Sequence, residues 1–357
     1  MAVSREAAIW GMRFLLGIDP QSDDEIEFHR NGYNRTEDLR DTFLRTPQAI
    51  ALFESANSRE LGTRWRRDHY TLPPFLLSRP QFPEVRWQFE EPSLDKPVCQ
   101  LCTAEQMNTE AYRSLCARLN LDASVMHRKI WEFAYILAVL ESKEMLQPGR
   151  RGIGFGTGLE PLPSVFAKAG VEILATDAPA DLDFSDRWDK GAQWGESLES
   201  IWHPEIVDRE TFFTKVSFMH ADMNNIPGDL TGYDFCWSAC AFEHLGSIRK
   251  GLDYLHNSLK TLKPGGVSVQ TTEFNLQSNE DTLEAPETCL FRKQDFELVI
   301  HELVSAGHKV EPLNLWPGTT AVDEHIDLPP FSAPHLKLEL AGYSTTSIGL
   351  IITKGGE

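Results

Sequence analysis

From Ser124 to Leu146 the chain reads SVMHRKIWEFAYILAVLESKEML, apolar on most of its circumference and closed by Pro148-Gly149. That spacing predicts one long helix. Beyond it, short apolar runs alternate with amphipathic ones. GIGF, VEILAT, VSFMH, YDFCWSA, GGVSVQTT, HKVEPLNL and TSIGLIIT predict strands. PLPSVFAKAG, IRKGLDYLHNSLKTL and KQDFELVIHELVSAG predict helices, the first ending at Gly170 and the last at Gly307. Alternation of this kind predicts an α/β fold, with a mostly parallel sheet covered by helices on both faces.

The pattern upstream is different. Residues 1–55 read as short helices. SREAAIWGMRFLLG offers Ser4 as a cap, an apolar face of Ile9, Phe14 and Leu16, and Gly17 as a stop. Thr36 and Thr46-Pro47 predict two further helix starts. Residues 56–98 carry prolines at 73, 74, 80, 83, 92 and 97 and sustain no period, so they read as an irregular connector at a domain boundary.

Charge narrows the partners. The 357 residues are 41% hydrophobic and 24% charged, which is ordinary globular composition. The net charge of −19 argues against nucleic acid and anionic membrane as partners. Apolar runs such as FAYILAVL fall far short of the ~20 residues of a membrane helix. No signal peptide is read in the first residues, where Glu6 and Arg13 interrupt the apolar stretch, so a cytoplasmic protein is expected. The six cysteines (Cys99, Cys102, Cys116, Cys236, Cys240 and Cys289) read as reduced thiols, not as a disulfide scaffold. Cys99 and Cys102 form a single CxxC; zinc would need Cys116 and His127 as well, and no metal is expected.

The candidate chemistry starts at GFGTGLEP. Gly154, Gly156 and Gly158 stand between a predicted strand and a predicted helix, where glycine permits a tight turn and a close ligand approach. A dinucleotide fold uses the same turn, and Asp177 stands about where its ribose-binding acid would. Leu159, however, replaces the third glycine of that pattern, and Glu160 with Pro161 opens the helix. A carboxylate there opposes a pyrophosphate and suits a ligand carrying an ammonium and a sulfonium.

The ordered set GFGTG, ILATD, HADMNNIP, YDFCWSACAFEHL and LKPGG resembles the class I S-adenosylmethionine-dependent methyltransferases over roughly residues 125–353. The resemblance implies a Rossmann-like, seven-stranded sheet, with residues 99–357 as the methyltransferase domain and S-adenosylmethionine as cofactor. It implies that the turn Gly154, Phe155, Gly156, Thr157 and Gly158 packs under the methionine part. Asp177 would take the ribose hydroxyls, Asp222 the adenine amino group, and Met223 the ring face. Ser238 and Ala239 would face the sulfonium. One position departs: the acidic residue the family usually carries two before the first glycine is Gly152 here. Glu160 is the candidate to hold the cofactor ammonium in its place, with helix capping as the alternative.

Methyl transfer to an alcohol needs alignment and a proton acceptor. His244, in the Glu243-His244 pair after the fourth strand, and Glu273, after the fifth, are the candidate bases. Arg128 heads the long helix and is a candidate for the cofactor carboxylate. Two insertions are expected to build the acceptor site: the stretch between Asp177 and Asp222, with Trp188, Trp194, Trp202 and His203, and residues 314–345. The charged DEHID stretch at 323–327 within the second reads as solvated, with a divalent metal as the alternative. RFLLGIDPQSDDEIEFH and TEDLRDTFLRTPQ loosely resemble helical segments attached to bacterial surface-polysaccharide enzymes. The expected reaction is O-methylation of a sugar or glycan hydroxyl. Methylation of another small metabolite or a peptide, a nicotinamide-dependent oxidoreductase, and a non-catalytic binding module are the alternatives.

Overall fold

The computed structural model describes residues 3–12, 20, 22–33, 35–44, 46, 69–179, 195 and 197–356. The chain divides into two compact units, Met1–Arg67 and Asp68–Glu357.

The first unit contains helices α1 (Arg5–Gly11), α2 (Asp23–Gly32) and α3 (Thr36–Leu44). Ser4 and Ser22 cap the first two, their hydroxyls accepting the backbone N–H of Ala7 at 3.1 Å and of Glu25 at 3.2 Å. Val3, Met12, Leu39 and Phe43 form a small core between them. Phe14, Leu16, Gly17 and Pro47 lie outside the described residues.

The second unit begins with short pieces: β1 (Trp87–Gln88), β2 (Cys99–Gln100), α4 (Ala104–Met107) and α5 (Glu110–Leu119). The long helix α6 spans Arg128–Ser142. It starts four residues later than the apolar pattern predicts, because His127 pairs with His335 and the Arg128 N–H donates to the His335 carbonyl. There follow β3 (Arg151–Phe155), α7 (Leu162–Lys168), β4 (Glu172–Asp177), α8 (Arg209–Lys215), β5 (Val216–His220), β6 (Tyr233–Ala239), α9 (Ile248–Ser258) and β7 (Leu262–Asn275). The remainder is β8 (Glu284–Ala285), β9 (Thr288–Cys289), α10 (Lys293–Ser305), β10 (Lys309–Val310), β11 (Leu313–Asn314), α11 (Ala321–Glu324), β12 (Leu338–Leu340) and β13 (Tyr343–Thr353).

Seven strands run in the order β5-β4-β3-β6-β7-β13-β10, and β12 adds an eighth alongside β13. β5, β4, β3, β6 and β7 are mutually parallel, while β13 lies antiparallel to both of its neighbours in that order. Its pairing with β7 runs from Val267↔Thr353 to Asn275↔Thr345. The segment HKVEPLNL is two strands, not one. Pro312 separates β10, which joins the main sheet, from β11, which sits between β1 and β2 in a small parallel sheet.

Large side chains fill the layers on either side of the sheet. Tyr135 of α6 lies against Gly349 so closely that a Cβ there would overlap its ring. Phe166 of α7 meets Phe235 and Trp237 edge-on, with centroids 5.6 and 5.1 Å apart. Burying aromatics of this size stabilises each layer by about 1.5–3 kcal/mol per side chain. The result is a rigid sheet whose carboxyl-end loops gather along one edge, the place where open α/β sheets bind ligands.

Candidate active site

The glycine turn follows β3. Gly154 is required by packing, since a Cβ would overlap the Trp237 indole. Gly152 is likewise filled, by the Phe235 ring, so no acidic side chain fits at that position. Gly156 has a left-handed backbone. It has φ +60°, and a Cβ would come within 2.8 Å of Ala241 and 3.5 Å of the Met223 sulfur. Phe155 points into the core and meets Tyr254 edge-on at 5.6 Å. The Thr157 N–H and hydroxyl both donate to the Thr176 carbonyl, at 3.0 and 3.3 Å. Phe155 and Thr157 therefore offer a ligand their backbone only.

Glu160 is buried beside this turn, 6% exposed, and its Oε1 accepts the indole N–H of Trp237 at 2.5 Å. No ion pair reaches it among the described residues. Burial pushes its carboxyl up to about 8, against the indole hydrogen bond and the nearby Lys129 charge, which lower it. The side chain makes no cap, because the N-terminal residue of α7 is Pro161 and receives no side-chain bond. Pro161 and Pro163 also remove two N–H donors from that helix end.

Asp177 ends β4. Its Oδ2 accepts the N–H of Gly158 at 3.1 Å and of Gly195 at 2.9 Å, and its Oδ1 that of Ala178 at 2.8 Å. Burial raises its pKa, and these three bonds oppose the rise. Oδ2 is thus filled and Oδ1 keeps an open lone pair for a hydroxyl donor. Asp222 is half-buried in the turn after β5 and accepts from the Asn224 N–H at 2.8 Å. Met223 is buried and faces Gly156. Gly156, Asp177, Met223 and Glu160 therefore gather around one turn.

At the end of β6 the alternation of side chains sorts the two neighbouring candidates. The Ser238 hydroxyl donates to Gln270 Oε1 at 2.6 Å inside the core, where Tyr254 donates to the same oxygen, so its side chain does not reach the site. Ala239 does: its carbonyl accepts from Lys129 Nζ at 3.1 Å. Next to it, Cys240 takes a positive φ of 50°, a strained conformation for a residue with a Cβ.

Around Cys240 lies a dense charge cluster that the sequence did not announce. Glu132 of α6 is fully buried and pairs with Arg128 at 3.2 Å and Lys129 at 3.1 Å. It also accepts from Ser347 at 2.5 Å and from the Cys240 thiol at 3.1 Å. Burial alone would raise its pKa; the two cations overcome that and hold it at about 2. Arg128, the candidate for the cofactor carboxylate, is half-buried and forms an ion pair with Glu273. Glu273 therefore already has a cation. The available signal was one acid, Glu132, inside the apolar run WEFAYILAVL.

His244 and Glu243 follow in a short 3-10 turn, Phe242–His244. His244 Nδ1 lies 2.7 Å from the Glu287 carbonyl, and its Nε2 lies 3.9 Å from Glu243 Oε1. Glu243 is buried, with Oε2 accepting from Thr272 at 2.9 Å and Oε1 holding no hydrogen-bond partner.

The described parts of the two insertions are tied to the fold. Trp202 anchors its own segment, its indole donating to the Val207 carbonyl at 2.9 Å; Trp188 and Trp194 lie outside the described residues. His203 Nε2 donates to the Leu159 carbonyl at 3.1 Å, fastening the segment to the glycine turn. Within 323–327, Asp323 accepts the Ala104 N–H at 2.8 Å, and Asp327 holds His335 Nδ1 at 2.5 Å. All six thiols are free and buried. Among the described residues no group of His, Cys, Asp and Glu could hold a metal ion, and no helix is long and apolar enough to cross a membrane.

No family model matches the chain, and no curated protein matches it. Solved structures do share part of its form. Magnesium protoporphyrin IX methyltransferase from Synechocystis PCC 6803, with bound SAH, is 11% identical over 69% of this chain and 95% of its own, at a TM-score of 0.39. An S-adenosylmethionine-dependent methyltransferase from Clostridium acetobutylicum is 12% identical over 69% and 98%, at 0.35. A TehB-like methyltransferase from Corynebacterium glutamicum is 14% identical over 68% and 94%, also at 0.35. Likeness of this order assigns nothing by itself.

Proposed function

We propose that the second unit is an S-adenosylmethionine-dependent methyltransferase acting on a hydroxyl of a sugar or glycan. The observation that carries the cofactor is Glu160, a buried carboxylate without a cation beside a glycine turn. A pyrophosphate needs N–H donors and positive potential at that helix end, and finds a carboxylate and two prolines instead. A ligand with an ammonium supplies the missing cation. Gly156 lets the turn close against Ala241 and Met223 beside it, and the open lone pair of Asp177 Oδ1 suits a ribose hydroxyl. The sheet gives a second reason. A dinucleotide fold continues its second half with parallel strands, whereas β13 runs antiparallel beside β7.

Glu160 would hold the ammonium, Asp177 the ribose, and Asp222 with Met223 the adenine. The cofactor supplies a methyl group on a sulfonium. The residues around Cys240 close that end of the site and exclude water. The sugar acceptor rests on the N-terminal segment resemblance and on the net charge of −19, which disfavours nucleic acid.

Calorimetric titration with S-adenosylmethionine, S-adenosylhomocysteine and NADH tests the reading. Binding of the first two, weakened about tenfold or more in Asp177→Ala, is expected. Binding of NADH without a response to the others would overturn it. A tritium-transfer screen over nucleotide sugars and glycans then tests the acceptor class, and a panel of small-metabolite and peptide acceptors tests the alternative.

A further inference from the structure

Glu243 and His244 stand out as a pair. Glu243 is 1% exposed, and its Oε1 has no hydrogen-bond partner. A buried acceptor left this way costs stability unless something supplies a proton or a donor. His244, by contrast, is 27% exposed along its side chain. A carbonyl can only accept, so the 2.7 Å contact with the Glu287 oxygen makes His244 Nδ1 the protonated nitrogen. In neutral His244 the lone pair is therefore on Nε2, the nitrogen 3.9 Å from the orphaned oxygen of Glu243.

Resting on the methyltransferase reading, we propose that Glu243 is the proton acceptor for the substrate hydroxyl and that His244 passes the proton to solvent. The acceptor O–H bond breaks and its electron pair stays on the attacking oxygen. The proton goes to Glu243 Oε1, then to His244 Nε2, and leaves from the exposed ring. Glu273 is less suited to this, since it is already paired with Arg128.

The surroundings support the basicity of Glu243. Burial raises its pKa, the His244 charge opposes that rise, and Glu273 on β7 adds to it. Lys129 on α6 lowers it. Arg128 on α6 and the Cys289 thiol on β9 also sense its charge. The Thr272 hydroxyl on Oε2 fixes the rotamer that leaves the buried Oε1 without a partner.

The test follows the His244 ring by NMR across pH 5–9 in the full chain with S-adenosylhomocysteine, assigned by its loss in His244→Asn. The Nδ1–H tautomer is expected in the neutral form. In Glu243→Gln the His244 midpoint is expected to fall by about half a unit or more, because a carboxylate roughly 4 Å away is gone. Thr272→Val, which keeps the carboxyl and raises its proton affinity, is expected to shift the midpoint in the same direction by less. It also serves if the Gln variant does not fold. An unmoved midpoint in both variants, or the Nε2–H tautomer, would overturn the pair. Once tritium transfer has given an acceptor, Glu243→Gln is expected to lower kcat by about 10²–10⁴-fold with the cofactor KM unchanged. An unchanged kcat would overturn the catalytic role. A protein that binds no S-adenosylmethionine would overturn the parent reading instead, and the His244 titration would still decide whether the two groups share a proton.

Discussion

The two ends of the candidate site treat a buried carboxylate in opposite ways. Glu132, beneath Cys240, has two cations, a hydroxyl and a thiol, and is held at about 2. Glu160, beside the glycine turn, has one indole N–H and is pushed up to about 8. The first is satisfied by the fold and has nothing left for a ligand. The second has no counter-charge paired with it among the described residues, and burial favours its protonated form. Burial alone therefore does not decide the state of a carboxyl; the charges packed against it do.

Removing one member of the satisfied cluster should have the largest effect. Glu132→Gln leaves Arg128 and Lys129 without their shared anion, and should lose about 3–5 kcal/mol in urea unfolding at pH 7. The sign with pH follows from a folded pKa of about 2 against an ordinary value of 4.5. The contribution of Glu132 is fully present above 4.5 and is lost as pH falls through 2.

At the other end the matching change should spare stability and strike the ligand. Glu160→Gln should weaken S-adenosylmethionine by about tenfold or more. Wild-type binding at pH 7 should also release close to one proton, because the cation converts a protonated Glu160 to its carboxylate. Titrations in two buffers of different ionisation enthalpy measure that release, and the variant should lack it. Equal release by both proteins would break the contrast between the two glutamates.

Without ligand, Glu160 should show itself as a smaller, pH-dependent effect. Its folded pKa of about 8 lies above the ordinary value of 4.5, so its contribution is present below 4.5 and lost as pH rises through 8. The melting temperature of Glu160→Gln should therefore gain on wild type between pH 6 and 9, by about 2–4 °C for each kcal/mol. The smallest effect concerns His127, which burial and the adjoining His335 push down to about 4 from 6.5. Its contribution is present above 6.5 and lost as pH falls through 4. His127→Asn keeps a helix cap and should soften the acid-side fall in melting temperature.

How far the sequence could be read depended on where each constraint originates. β3, β4, β6 and β7 were legible because strands buried on both faces are written as local apolar runs. The start of α6 was not, since its boundary is set by a partner, His335, more than half the chain away. At the turn the glycines were visible in the sequence but not what requires them: Gly152 and Gly154 are small to admit Phe235 and Trp237, neighbours that only the folded sheet supplies. Ser238 was expected at the site and its hydroxyl is spent on Gln270, a partner that only the pairing of β6 with β7 brings near. Glu243 was read as the companion of His244. The structure reverses their order, placing the glutamate inside and the histidine outside.

The direction of β13 has a consequence for how such a protein can change. Thr345 pairs with Asn275, so β13 begins where β7 finishes, at the mouth of the sheet. The stretch from Leu315 to Gly342 is thus tethered over the mouth by β11 behind it and by nine paired residues of β13 ahead of it. It is fastened to the rest of the unit as well, His335 to His127 and Asp323 to the Ala104 N–H. A change of length inside it must keep those two ties if α6 and α4 are to stay where they are.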